Sequence, residues 1–172
     1  MAKGFILGVV VALAVVIAGG YLFVKVGALP AGQDSKPGTL EKWAANTSLA
    51  ATISRQTKGV TIPIQPTEAN LTAGANLYVD HCQLCHGGPD ASASAIAKGL
   101  APDPPQLAKD GVEDDPEGTT YWKIVHGIRF TGMPSFHETL SDNQIWQITL
   151  FVKHMDSLPA GSRAAWAAHK PL

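Results

Sequence analysis

The 172 residues contain only two cysteines, Cys82 and Cys85, three positions apart. In an exported chain two cysteines would ordinarily suggest a disulfide. A bridge across two intervening residues is known from thioredoxin-like redox motifs. Those motifs need a strand leading into a helix, and no strand pattern longer than a few residues occurs here. Internal repeats are lacking as well. A basic stripe with interleaved aromatics is also missing, which argues against nucleic acid as a partner.

Charge is missing from one stretch altogether. Between Phe5 and Val24 no residue is charged and nearly all are apolar. As a helix this stretch is about 30 Å long, the thickness of a bilayer core. A signal peptide has a shorter apolar centre, roughly 7–15 residues. Lys3 and the α-amino group supply the inner positive flank. Residues 1–26 are therefore expected to form an uncleaved signal-anchor, with the rest of the chain exported. The competing expectation is a long signal peptide cut near Ala28, since Val26 and Ala28 are small enough for a cleavage site. The overall charge of −1 hides an asymmetry: residues 1–66 carry a balance of +4, residues 67–172 one of −5.

Residues 27–66 read as a linker. Gly and Pro punctuate 27–38, and Pro63 and Pro66 keep 58–66 extended. Between them Leu40, Trp43, Ala44 and Thr47 recur at helical spacing, so a short amphipathic helix is expected at about 40–55. Trp43 is expected to meet either lipid headgroups or the globular domain. That domain is expected over 67–160. It begins with a helix over 71–81 that Thr72 can cap. Residues 87–106 and 127–137 read as loops, 110–118 as an acidic loop, and 119–126 as a short helix. Ser141-Asp142-Asn143-Gln144 fits a capping box, and Ile145, Ile148, Phe151, Val152 and Met155 form the buried stripe of the helix that follows. Residues 161–172, with Trp166, read as a further helix or a loose tail.

Both cysteines fall in Cys82-Gln83-Leu84-Cys85-His86. Two thiols one helical turn apart can reach the two vinyl groups on one porphyrin edge, and the adjoining imidazole can reach the iron. The spacing is the signature of covalent attachment of one haem c. The sixth iron position has Met133, Met155, His81, His126, His137, His154 and His169 as candidates. Met133 lies in a loop between Gly132 and Pro134, where a thioether can be aimed across the haem, and is the preferred ligand. Met155 belongs to a helix stripe and reads as core. His137 is the reserve.

The chain here resembles a class I c-type cytochrome over about residues 69–158. Gly74 and Tyr78, the haem motif, the proline-rich loop Leu100–Leu107, the stretch Ile124–Phe136 and the helix Ser141–Pro159 follow that family's order. The resemblance implies an all-α fold. Its first and last helices would cross at Gly74 around one haem, with His86 and Met133 as axial ligands of the iron. Leu107, Trp122, Ile128, Phe130, Phe136 and Ile148 are expected to line the pocket, and Arg129 to meet a haem propionate.

Such a closed His/Met site carries single electrons and turns over no substrate, so no enzyme activity is expected. A second haem motif, which a conventional cytochrome peroxidase would need, is lacking. The expected setting is the outer, periplasmic face of a bacterial inner membrane, single-pass, in a respiratory or photosynthetic chain. The expected partners are a quinol-oxidising complex or a terminal oxidase. Two alternatives stand beside the tethered carrier. One is a permanent haem c subunit of a larger membrane oxidoreductase complex, the other a haem-based ligand sensor. The acidic residues Asp110, Glu113, Asp114, Asp115 and Glu117 read as a solvated loop or as a docking surface for a basic partner.

Overall fold

The computed structural model describes residues 2–28 and 30–168. They fall into two compact units, Met1–Ser35 and Lys36–Leu172. The first unit is one helix, α1 (Ala2–Lys25), with none of its residues buried. A helix that is apolar all round and finds no protein to cover it is suited to hydrocarbon. It is long and apolar enough to cross a membrane. Gly27, at φ +73°, ends it: Ala28 N donates to Phe23 O at 3.1 Å and Gly27 N to Val24 O at 3.0 Å. This double closure needs a left-handed residue, which glycine adopts without steric cost.

The second unit is helical, with no strand among the described residues. It comprises α2 (Thr39–Gln56), α3 (Glu68–His81), α4 (Gln83–His86), a 3₁₀ turn (Ala97–Gly99), α5 (Leu107–Asp110), α6 (Glu117–His126), α7 (Asp142–Lys153) and α8 (Ala160–Ala167). The all-α expectation is met. The core lies where α3 crosses α7. Leu71, Ala75 and Tyr78 of α3 are buried against Ile145, Ile148, Phe151 and Val152 of α7. Gly74 sets the separation: a Cβ built on it would stand 2.1 Å from Gln147 O and 2.8 Å from Phe151 Cβ. Only a residue without a side chain permits this approach.

Helix α3 begins earlier than the sequence suggested. Thr67, not Thr72, caps it, accepting from Asn70 N at 3.2 Å. Two threonines five residues apart competed for the role. Thr72 instead lies inside the helix with its hydroxyl 3.0 Å from that of Ser162 on α8. Helix α7 has the expected capping box, with Ser141 and Gln144 bonding each other's backbone amides. Met155 is buried in the core. Residues 160–167 form α8, which lays Trp166 edge-on against Tyr78 and Phe151, at ring separations of 6.1 and 5.2 Å.

Helix α2 joins the domain at its carboxyl end only. Ile53 is its one buried residue. Gln56 Oε1 accepts from Trp122 Nε1 at 2.6 Å, and Ile62 N donates to Glu117 Oε2 at 3.0 Å. Gly118 lets the start of α6 press against Thr57 and Val60. Towards its amino end Leu40 and Trp43 stay 74% and 63% exposed.

Candidate functional site: a cavity around the paired cysteines

Cys82 interrupts the path from α3 into α4. Its amide still donates to Tyr78 O at 2.8 Å, while its carbonyl accepts from Cys85 N and His86 N at 3.1 and 2.9 Å. One continuous turn thus presents Cys82, Cys85 and His86. All three line a cleft of about 1120 Å³, counted to its open mouth. The rest of the wall is mostly apolar and includes Leu100, Leu107, Ile124, Ile128, Phe136 and Ile148, together with Met133.

The tautomer of His86 is fixed by its neighbour. Its Nδ1 lies 2.9 Å from Pro105 O. A carbonyl only accepts, so Nδ1 carries the proton and Nε2 keeps its lone pair for a metal. Burial lowers the pKa of the imidazole. The Pro105 hydrogen bond opposes this, and the charge of Lys123 adds to it. The neutral ring that iron ligation requires is therefore favoured.

The cysteines are unlike a dithiol redox pair. No disulfide joins them. Burial, with the adjoining Cys85 charge, pushes Cys82 up to about 12. A reactive redox thiol needs the opposite shift.

Hydrogen bonds hold the attachment turn from two sides. Tyr78, fully buried, donates its hydroxyl to Gly87 O at 2.8 Å. Gln106 Nε2 donates to Cys85 O and Pro104 O, each at 3.1 Å. The methionine loop is tied to the end of α6. Ile128 N donates to Met133 O at 3.2 Å, Phe136 N to Ile124 O at 3.1 Å, and Ser135 Oγ to Val125 O at 2.6 Å. Thr131 Oγ1 accepts from Met133 N at 3.1 Å while donating to Ile128 O at 2.7 Å. Gly127 makes room for this loop. Its φ is +65°, and a Cβ on it would lie 2.6 Å from Pro134 C.

Leu107, Ile128, Phe136 and Ile148 stand in the wall as expected. Two expected members do not. Trp122 is two residues, or about 200°, around the helix from Ile124. It turns instead to Gln56 and lies 4.7 Å from the His126 ring. Phe130 is 91% exposed with φ +62°. It occupies the third position of the turn closed by Thr131 N donating to Ile128 O at 3.2 Å, and the central residues of such a turn project outward. Arg129, beside it, is exposed and outside the wall.

Of the other histidines among the described residues, only His81 touches the cavity. His137 pairs with Ser135 Oγ at 3.0 Å and Glu138 at 2.6 Å, and His154 lies 2.9 Å from Leu150 O. His169 lies outside the described residues. The sequence reading missed Pro105, Gln106 and Lys123. A backbone carbonyl leaves no signature in residue type, and a lone Gln or Lys is unremarkable until the fold brings it to the wall.

The cavity fits a covalently held tetrapyrrole. It has two thiols on one turn, a directed imidazole beside them, and an apolar wall with a thioether in it. No curated protein matches the chain. Residues 69–152 match the family model described as Cytochrome C oxidase, cbb3-type, subunit III. The matched segment spans the haem motif, the proline-rich loop, the methionine loop and most of α7. Residues 69–152 are thus a c-type cytochrome domain, one that holds covalent haem c and serves electron transfer.

Proposed function

We propose that the chain is a membrane-tethered monohaem cytochrome whose iron is ligated by His86 and Met133. The observation that carries this reading is the single cavity to which Cys82, Cys85, His86 and Met133 all contribute. The bound haem c supplies a one-electron Fe(II)/Fe(III) couple. His86 offers Nε2 from a tautomer held by Pro105. Met133 offers a soft, neutral sulfur that favours the reduced state. Leu107, Ile128, Phe136 and Ile148 exclude water and raise the cost of the extra ferric charge. Residues 1–26 anchor the chain in a bacterial inner membrane, with the haem domain on the periplasmic side.

An absorption spectrum of the oxidised full chain in detergent tests the ligation. A methionine-to-iron charge-transfer band is expected, together with its loss in Met133→Ala. High-spin iron that binds CO in the unmutated chain would instead identify a ligand sensor.

A second reading, a permanent subunit of a terminal oxidase, is supported by the description of the matched family. Only residues up to 35 then lie outside the compact haem-binding unit. Co-elution with an oxidase in fixed stoichiometry after detergent extraction would exclude the free carrier. Elution of the chain alone would exclude the subunit.

A further inference from the structure

Among the described residues of the cavity wall, Lys123 is the one lysine or arginine. A cation beside an apolar wall is costly unless something pairs with it. Its Nζ lies 3.4 Å from Asp115 Oδ2, with the two side chains 32% and 38% exposed. The pair therefore stands at the wet margin of the cleft, and both partners are counted in its wall. Asp115 is held from behind: Lys153 of α7 donates to its carbonyl at 3.0 Å, and its own amide donates to Val112 O at 3.2 Å. Thr120, one turn before Lys123, and Ile124, directly after it, line the same cavity. The face of α6 that carries Lys123 is thus the face turned to the ligand.

The Lys123–Asp115 contact is not a closed pair. A charge-assisted N–H···O bond is about 2.7–2.9 Å long, and an ammonium group has three protons to donate. At 3.4 Å Lys123 keeps donors for a second acidic group. A haem brings two carboxylates of its own, the propionates, into a cleft whose wall offers one cation. We propose that Lys123 pairs with a haem propionate, and that Asp115 sets how much of the lysine's charge the iron feels. Arg129, expected in that role from the sequence, lies outside the wall.

The sign follows from Coulomb's law. A cation near the iron raises the cost of the ferric state, so removing it lowers the reduction potential. Removing Asp115 does the reverse. The inference rests on haem c occupying this cavity, and the experiment separates the two. The holoprotein, full length in detergent, is titrated against redox mediators as wild type, Lys123→Gln, Lys123→Arg and Asp115→Asn. Redox-difference infrared spectra of the propionate carboxylates are recorded alongside.

A low-spin haem c spectrum in the wild type secures the underlying reading, and its absence would end both. Given that spectrum, Lys123→Gln is expected to shift the oxidised-to-reduced ratio about tenfold towards oxidised, or about 59 mV downward. It should also displace a propionate band. Lys123→Arg should restore both, and Asp115→Asn should raise the potential. An unmoved potential in Lys123→Gln overturns the proposal. So does a moved potential with propionate bands unchanged, since that is a diffuse field and not a pairing. If Lys123→Gln fails to bind haem, Asp115→Asn decides: a potential equal to wild type refutes the role.

Discussion

Helix α3 has two ends with different neighbours. Around Gly74 it meets α7 so closely that Gln147 O occupies the space of a side chain. Leu71, Ala75, Ile145 and Phe151 complete a packed crossing there from protein atoms alone. From Tyr78 onward the same helix runs into the cavity of Cys82, Cys85 and His86, where Leu107, Ile128, Met133 and Phe136 are only partly buried. The crossing is finished by the chain. The cavity is finished by the group it holds, because an apolar wall facing a void forfeits both its burial and its contacts. Folding stability is therefore expected to be unequal along one helix, with the cofactor supplying the missing core.

The strongest way to break that contrast is to prevent attachment. Cys82→Ala with Cys85→Ala should leave no haem on the polypeptide after acidic acetone extraction. Hydrogen exchange should then accelerate about 100-fold or more in residues 100–136, the increment that a tightly held ligand confers. Amides of 71–77 and 145–151 should change less. Equal loss of protection at the two ends of α3 would show that the crossing also depends on the haem.

Gly74→Val attacks the other end. Its Cβ would overlap Gln147 O at 2.1 Å, and helix backbones cannot move apart without opening the core. A loss of about 4 kcal/mol is expected in urea unfolding followed by far-UV circular dichroism. A loss below about 1 kcal/mol would mean that the crossing yields easily.

Gly127→Ala sharpens the comparison on the cavity side. With φ +65° and ψ −172°, Gly127 occupies a region essentially reserved for glycine. The added methyl would also meet the backbone of Pro134 at 2.6 Å. About 2–3 kcal/mol is expected, from strain and overlap together. The damage should concentrate in the methionine loop. The charge-transfer band should weaken before the far-UV signal does. Loss of both signals together would place Gly127 in the crossing's cooperative unit.

The two regions also differed in how far the sequence disclosed them. The crossing was readable because its signals are local: a glycine four residues before an aromatic, a capping box, and a stripe at helical spacing. The attachment turn was readable because three reactive groups share five positions. Side-chain direction around the cavity was harder to read. Trp122 and Phe130 are apolar and lie close to the wall in sequence. Yet a phase of two residues turns one to Gln56, and a left-handed turn position points the other outward. Hydrophobicity says that a residue wants cover, not which cover it will find. The partners that orient His86 and Cys85 were hidden for another reason. The Pro105 carbonyl is common to every residue type, and Gln106 acts through a loop whose path only the folded chain defines.

Tyr78 belongs to both regions, and the smallest effect is expected there. Its ring packs in the crossing, 5.2 Å from that of Phe151, while its hydroxyl reaches out to Gly87 O, one residue past His86. Burial raises the phenol pKa well above its ordinary value, so the group remains a donor. Tyr78→Phe keeps the ring and removes the donor. It leaves a buried carbonyl unpaired, which costs about 1–2 kcal/mol. If the crossing and the attachment turn are separate supports joined by this bond, global stability falls by that amount. The visible spectrum should stay intact, and exchange at Gly87 and Gly88 should quicken relative to Ala75. If Ala75 quickens equally, the bond is an ordinary part of the core, and the boundary between the two regions lies beyond Tyr78.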